Sequence, residues 1–180
     1  TALLSNYYLM QLYKEAGLPD GVINFLPGSG ALIGKVCTES KYFAGIHFTG
    51  STATFKSLWS QACSNLDRYI SYPRLVGETG GKDFIFVHPS ADPKAVATAA
   101  FCGAFEFQGQ KCSAASRMYI PKSLWPTVLE DMQRMMAEIK MGDVCDPMNF
   151  VNAVIDEASF DKCKSYIDFA EAAADAKVDI

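Results

Sequence analysis

The sequence predicts an α/β fold in which parallel strands alternate with helices. Short runs of β-branched and aromatic residues alternate with longer segments whose apolar residues recur at helical intervals. Two strand candidates, FLPGSG and FTGS, lead directly into helices, as expected of βαβ units. Because ligands bind at the carboxyl ends of parallel strands, these two turns are candidate binding sites.

Residues 1–80 contain the first set of predicted elements. A helix begins at Thr1, which can cap it, and ends at Gly17, just before a proline. A second long helix begins after Ser51 or Thr52, because apolar residues then recur at intervals of three and one along one face. The other elements are a short helix over 31–37 and three apolar strands over 22–28, 44–50 and 73–78. The strand over 22–28 is expected to be buried.

A glycine pair, Gly80-Gly81, is the predicted hinge between this set and a second α/β set. The second set includes a helix that is opened by Asp92, with Pro93 at its first position. Its other elements are two strands and two helices with apolar faces: strands 84–89 and 116–121, a helix over 124–139 and a helix around 160–170. The last residues, 175–180, predict the start of another strand.

Composition excludes several classes of function. The net charge of −4 offers no basic surface for nucleic acid, and no apolar run approaches the roughly 18 residues that span a membrane. The six cysteines lie at least ten residues apart, so no pair has zinc-site spacing and we predict no metal. Without a secretory signal, free thiols in a reducing compartment are expected. Both ends interrupt predicted elements, and we therefore expect an internal piece of a longer protein.

The segment FTGST is the first candidate site. A strand that ends in Gly50-Ser51 and enters a helix can present free backbone N–H groups to an anion. The alternative is an ordinary capped helix, which the segment alone favours. The glycines of LPGSGALIG do not form the usual dinucleotide fingerprint, and a glycine-containing turn explains them adequately.

Glu78 and Cys112 are the candidate catalytic pair. Glu78 ends a strand before a flexible double glycine, where a carboxylate can serve as a general base, although a solvated loop acid is the default. Cys112 follows Lys111, whose positive charge favours a thiolate, and precedes small residues that leave room for a substrate. An isolated cysteine is more often a small buried hydrophobe.

Three motifs in order resemble the aldehyde dehydrogenase superfamily: FTGS at 48–51, ETGGK at 78–82 and GQKCSAASR at 109–117. The 34-residue interval between Glu78 and Cys112 is also that family's interval between base and nucleophile. The resemblance implies parallel-sheet, Rossmann-like segments of the aldehyde dehydrogenase fold, incomplete at both ends. Residues 1–80 would be part of the NAD-binding domain, and residues 81–180 part of the catalytic domain.

The resemblance also implies roles for individual residues. Cys112 would attack an aldehyde, hydride would pass to NAD, and Glu78 would activate the water that hydrolyses the resulting thioester. The implied cofactor-binding residues are Phe48, Thr49, Gly50, Ser51 and Gly28. The implied substrate-binding residues are Lys111 and Ser113.

Phe55 stands where most members carry glycine, and with TFKSLW and YPRL it resembles the proline-catabolic branch. That branch implies oxidation of glutamate γ-semialdehyde, the open form of pyrroline-5-carboxylate, to glutamate. Two alternatives stay open: an aldehyde dehydrogenase of other specificity, and a non-catalytic module that keeps the fold. The resemblance further implies a homo-oligomeric parent, in the mitochondrial matrix of a eukaryote or otherwise in the cytoplasm, and an isolated fragment without activity.

Overall fold

The structure is a computed structural model that describes residues 2–173. The chain forms two compact units, Thr1–Thr79 and Gly80–Ile180, and the boundary falls at the predicted glycine hinge. The assignment of these units to NAD-binding and catalytic domains stays a prediction. The predicted cap at Thr1 and the strand start predicted in 175–180 lie outside the described residues.

The first unit contains a parallel pair of strands with helices before and between them. Its elements are α1 (Leu3–Glu15), α2 (Gly30–Glu39), β1 (Gly45–Gly50), α3 (Thr52–Ser64), a 3-10 turn (Leu66–Arg68) and β2 (Arg74–Thr79). The two strands pair in parallel, from Gly45 opposite Arg74 to Gly50 opposite Thr79. The predicted βαβ arrangement around α3 is therefore confirmed, and both strands end at the same edge.

Helix α3 begins as its sequence predicts. The Ser51 hydroxyl oxygen accepts a hydrogen bond from the backbone N–H of Thr54 at 3.1 Å, which satisfies one of the first amides of the helix. Leu58 and Ala62, on the predicted apolar face, are buried. Thr38 of α2 is also buried, and its hydroxyl donates to the Gly34 carbonyl at 2.8 Å.

The prediction of a buried strand at 22–28 is wrong. The segment has no strand structure, and Val22, Ile23 and Leu26 are 63%, 47% and 68% exposed. A strand exists only where a neighbour accepts and donates its backbone hydrogen bonds. Among the described residues the sheet of this unit consists of β1 and β2, which pair with each other and not with this segment.

The second unit repeats the parallel pairing with different elements. They are β3 (Asp83–Phe86), α4 (Pro93–Phe105), a 3-10 turn (Glu106–Gly109), β4 (Ala115–Tyr119), α5 (Trp125–Glu138) and α6 (Glu157–Ala172). Strands β3 and β4 are parallel, with an irregular register between Asp83 and Phe84. Asp92 caps α4 as predicted, because its carboxylate accepts from the Lys94 N–H at 3.1 Å.

The core of the second unit lies where α4 packs against α5 and β4. Its buried side chains are small or aromatic: Val87, Ala97, Ala100, Phe101, Val128 and Val151. The Phe101 ring also contacts the ring of Phe150 at a centroid distance of 5.6 Å, which attaches the segment between α5 and α6 to α4. No helix within residues 2–173 has both the length and the hydrophobicity to cross a membrane.

Candidate functional site

A cleft of about 750 Å³ opens between α2 and α3 of the first unit. Small residues one helical turn apart line it on both helices, Gly30 and Gly34 on α2 and Ala53 and Ser57 on α3. A Cβ at Gly34 would lie 2.9 Å from the end of the Leu58 side chain, so a larger residue there would have to displace that side chain. The sequence prediction missed this cleft, although the spacing of small residues in the two helices is a signal that could have identified it.

The predicted cofactor-binding residues 48–51 lie where β1 enters α3. Phe48 lines the cleft, and Ser51 caps the helix, so the first amides of α3 point toward this edge of the sheet. The Ser51 and Thr54 hydroxyls are 2.7 Å apart. Gly28 precedes α2, and a Cβ on it would lie 3.4 Å from Ile33, another residue of the cleft.

Glu78 lies beside these residues on the neighbouring strand. The register places it opposite Thr49, and the next pair is Gly50 with Thr79. Its side chain is exposed, at the edge where both strands end. The structure therefore brings the predicted base together with the predicted cofactor-binding residues at the end of β1, and it does not show Gly28 beside Glu78.

Cys112 lies in the second unit, in a turn that leads into β4. The Ala114 N–H donates to the Lys111 carbonyl at 3.1 Å, which closes the turn around Cys112 and Ser113. Both side chains belong to exposed residues. All six cysteines are free thiols, and four others are exposed as well, so exposure alone does not distinguish Cys112.

Lys111, predicted to bind the substrate, is already paired. Its ammonium nitrogen lies 2.9 Å from a carboxylate oxygen of Glu106, and both side chains are about half exposed. An exposed pair of this kind is worth about 0–1 kcal/mol, so a ligand carboxylate can compete for the lysine. The pair borders a cavity of about 350 Å³ whose walls also include Phe107, Asn149 and Asn152.

The backbone before Cys112 has an unusual conformation that the sequence analysis did not predict. Phe107, Gln108 and Gly109 have φ angles of 54°, 57° and 66°. Residues other than glycine rarely adopt positive φ angles, and the residue types Phe and Gln do not predict them. The described residues also contain no group of three or more His, Cys, Asp or Glu that could hold a metal ion.

Comparison with known proteins gives the chain a family. The model of the aldehyde dehydrogenase family matches residues 1–178. The mitochondrial Δ1-pyrroline-5-carboxylate dehydrogenases of Dictyostelium discoideum and Homo sapiens are 49% and 46% identical to this chain over 99% and 94% of it. The chain spans only 32% and 30% of those two proteins.

A solved structure gives the same result. The Δ1-pyrroline-5-carboxylate dehydrogenase of Mycobacterium tuberculosis, in its NAD-bound crystal structure, superposes with a TM-score of 0.91 at 48% identity. The match covers 95% of this chain and 32% of that protein. Sequence and structure agree along nearly the whole length, and the chain belongs to the aldehyde dehydrogenase family.

Proposed function

We propose that this chain is the part of an NAD-dependent Δ1-pyrroline-5-carboxylate dehydrogenase that carries its nucleophile and its general base. The observation that supports this most strongly is the similarity to dehydrogenases of that name along nearly the whole chain. The substrate would be glutamate γ-semialdehyde and the product glutamate. For a eukaryotic source we include a mitochondrial location, since the two relatives named above are mitochondrial, and we include a homo-oligomeric parent on the resemblance alone.

The proposed chemistry has two stages. The thiolate of Cys112 adds to the aldehyde carbon, a C–S bond forms, and loss of hydride from that carbon leaves a thioester. Glu78 then accepts a proton from water as the water oxygen attacks the thioester carbon. The C–S bond breaks, the carboxylate product leaves, and Cys112 is regenerated. When bound, NAD supplies the acceptor for the hydride.

The accessibility of both side chains supports these roles. Glu78 and Cys112 are both exposed, as a base and a nucleophile that meet a substrate must be. Within the second unit, a Cβ on Gly81 would lie 3.9 Å from the Cys112 carbonyl oxygen, so this glycine of the ETGGK motif lies close to the proposed nucleophile.

The residues of the first unit fit a dinucleotide. The cleft between α2 and α3 has apolar walls, including Ile33 and Leu58, that suit a flat base. The amides at the start of α3, behind the Ser51 cap, suit a pyrophosphate because they carry the positive end of the helix dipole. Phe48 and Thr49, nearest to Glu78 in the register, would face the reactive end of the cofactor.

Lys111 and Ser113 are the proposed substrate contacts in this chain. Lys111 would exchange its exposed partner Glu106 for the carboxylate of the substrate. Ser113, exposed beside the nucleophile, can donate a hydrogen bond to the substrate. Both contacts need a substrate that carries polar groups besides its aldehyde.

The test compares aldehydes in the full-length protein. NADH production with glutamate γ-semialdehyde should exceed that with propanal by roughly a hundredfold in kcat/KM, because an aliphatic aldehyde leaves the polar anchors unpaired. Cys112→Ala should remove turnover with both, whereas Cys145→Ala, which changes another exposed thiol of the same unit, should not. The isolated 180-residue chain should produce no measurable NADH.

Each contrary result would select a different account. Equal rates with the two aldehydes would indicate a dehydrogenase of broader specificity. An active Cys112→Ala variant would remove the covalent mechanism. A wild-type protein that turns over neither aldehyde would indicate a non-catalytic member of the family.

A further inference from the structure

The turn before Cys112 is held in a conformation that it would not keep by itself. Phe107, Gln108 and Gly109 form a run of three residues with positive φ between the end of α4 and the candidate nucleophile. Such a run persists only where surrounding contacts determine it. Gly109 is also confined, since a Cβ on it would lie 2.9 Å from the Ala104 carbonyl oxygen.

Gln110 makes the contacts that hold this turn. Its backbone N–H and its side-chain Nε2 both donate to the Phe107 carbonyl, at 3.1 Å and 3.3 Å. Its Oε1 accepts from the backbone N–H of Ile155 at 2.9 Å. One side chain thus joins the turn to a segment 45 residues later in the chain.

The Ile155 segment is itself anchored. Val151 is 9% exposed, and the neighbouring Phe150 ring contacts Phe101, which is buried in α4 at 3% exposure. At the other end of the segment, Asp156 caps α6 through the Ser159 N–H at 2.8 Å. Gln110 therefore ties the turn to a fixed point and not to a free loop.

One further contact spans the turn. The ion pair between Lys111 and Glu106 is half exposed and screened by solvent. It is also the pair that the proposed substrate contact would break. With the lysine engaged elsewhere, the hydrogen bonds of Gln110 would still connect this turn to the Ile155 segment.

We propose that Gln110 is a positioning residue that fixes the turn and so sets where the Cys112 sulfur meets the aldehyde. This inference rests on the proposed role of Cys112 as nucleophile. The amide is the chemical requirement, because one end must donate to a carbonyl and the other must accept from an N–H. Methionine can do neither with comparable strength, and an ionised glutamate can only accept.

The test uses the full-length protein with Gln110→Met, Gln110→Glu and, as a matched control, Gln133→Met. Gln133 is exposed on α5, away from the turn in sequence. Two rates are measured: kcat per active site, and the rate of Cys112 alkylation by iodoacetamide without cofactor. Gln110→Met should lower kcat by roughly tenfold or more, with KM changed much less, since misplacing a reacting group acts on the chemical step, and it should also change the alkylation rate because the surroundings of the thiol change. Gln110→Glu, which keeps the acceptor for Ile155, should fall between wild type and Gln110→Met.

The inference is overturned if Gln110→Met keeps wild-type values of both rates, or if Gln133→Met loses as much. If Gln110→Met fails to fold, wild-type rates in Gln110→Glu overturn it instead. Cys112→Ala separates the two proposals. Retained turnover in that variant defeats the proposed function, whereas its loss beside an unaffected Gln110→Met defeats the positioning role alone.

Discussion

The Phe55 ring fills the space that a side chain at position 77 would need, beside the candidate site of the first unit. A Cβ on Gly77 would overlap the Phe55 ring. The ring cannot easily move, because it stacks on Phe48 at 5.9 Å and meets the edge of Trp59 at 5.6 Å. Side-chain volume therefore requires glycine at 77, the residue before the proposed base.

Gly77→Ala should lower the free energy of unfolding by about 1–3 kcal/mol, the usual cost of overpacking. The same change in a Phe55→Ala background should cost less than half as much, because the ring is no longer in the way. A double-mutant cycle by chemical denaturation measures the difference. Gly103→Ala is the control: its Cβ would lie an ordinary 3.7 Å from Ala115, and in the last turn of α4 the change should not lower the free energy of unfolding. If the losses in unfolding free energy from Phe55→Ala and Gly77→Ala simply add, the Phe55 ring is not what excludes a side chain at 77.

Residue roles that depend on neighbours in sequence were predictable, and those that depend on distant contacts were not. The caps Ser51 and Asp92 were identified because a cap is defined within four residues. The tight fit of Gly77 depends on a ring from α3, and the Gln110 bond depends on Ile155. Sequence alone does not bring these partners together.

The cap of α6 makes the stability of that helix depend on pH. The Asp156 carboxylate accepts from the Ser159 N–H at 2.8 Å, and hydrogen bonds from the Ser159 side chain and backbone lower the pKa of Asp156 below its ordinary 3.8. A lowered pKa means that the folded state favours the ionised carboxylate. This contribution is complete above pH 3.8 and is lost as the pH falls through the lower pKa of the folded state.

Asp156→Ala should therefore lower the melting temperature at pH 7, and its difference from wild type should narrow below pH 3.8. Thermal melts followed by circular dichroism across this range measure the difference. Asp161→Ala, on the same helix beyond its first turn, should change the melting temperature much less at pH 7. A gap between Asp156→Ala and wild type that stays constant into acid would show that the ionised cap contributes nothing.

The helices with side-chain caps were predicted correctly, whereas one predicted strand, at 22–28, did not form. Strands β1 to β4 fall within or beside the predicted segments and pair in parallel as expected. The segment 22–28 has an equally strong apolar pattern and forms no strand. Apolar β-branched residues make a strand possible, but a hydrogen-bonding neighbour makes it form, and the pattern contains no information about that neighbour.

The two units each carry part of the proposed chemistry. The first contains Glu78 with the residues proposed to hold the cofactor, and the second contains Cys112 with its turn. The motifs predict both roles because the residue types and the 34-residue interval match those of the family. They did not identify the cleft between α2 and α3 or the backbone conformation of 107–109, which depend on how the chain packs.

The division of labour between the two units is tested by Glu78→Gln in the full-length protein. If Cys112 forms the thioester and Glu78 activates the water that removes it, the variant stalls after the first stage. Rapid mixing with NAD and glutamate γ-semialdehyde should then give a burst of about one NADH per active site, followed by turnover at least about a hundredfold slower than wild type. Mass spectrometry of the stalled protein should locate the acyl group on Cys112. Steady turnover at the wild-type rate, or an acyl group on another of the six cysteines, would contradict the account.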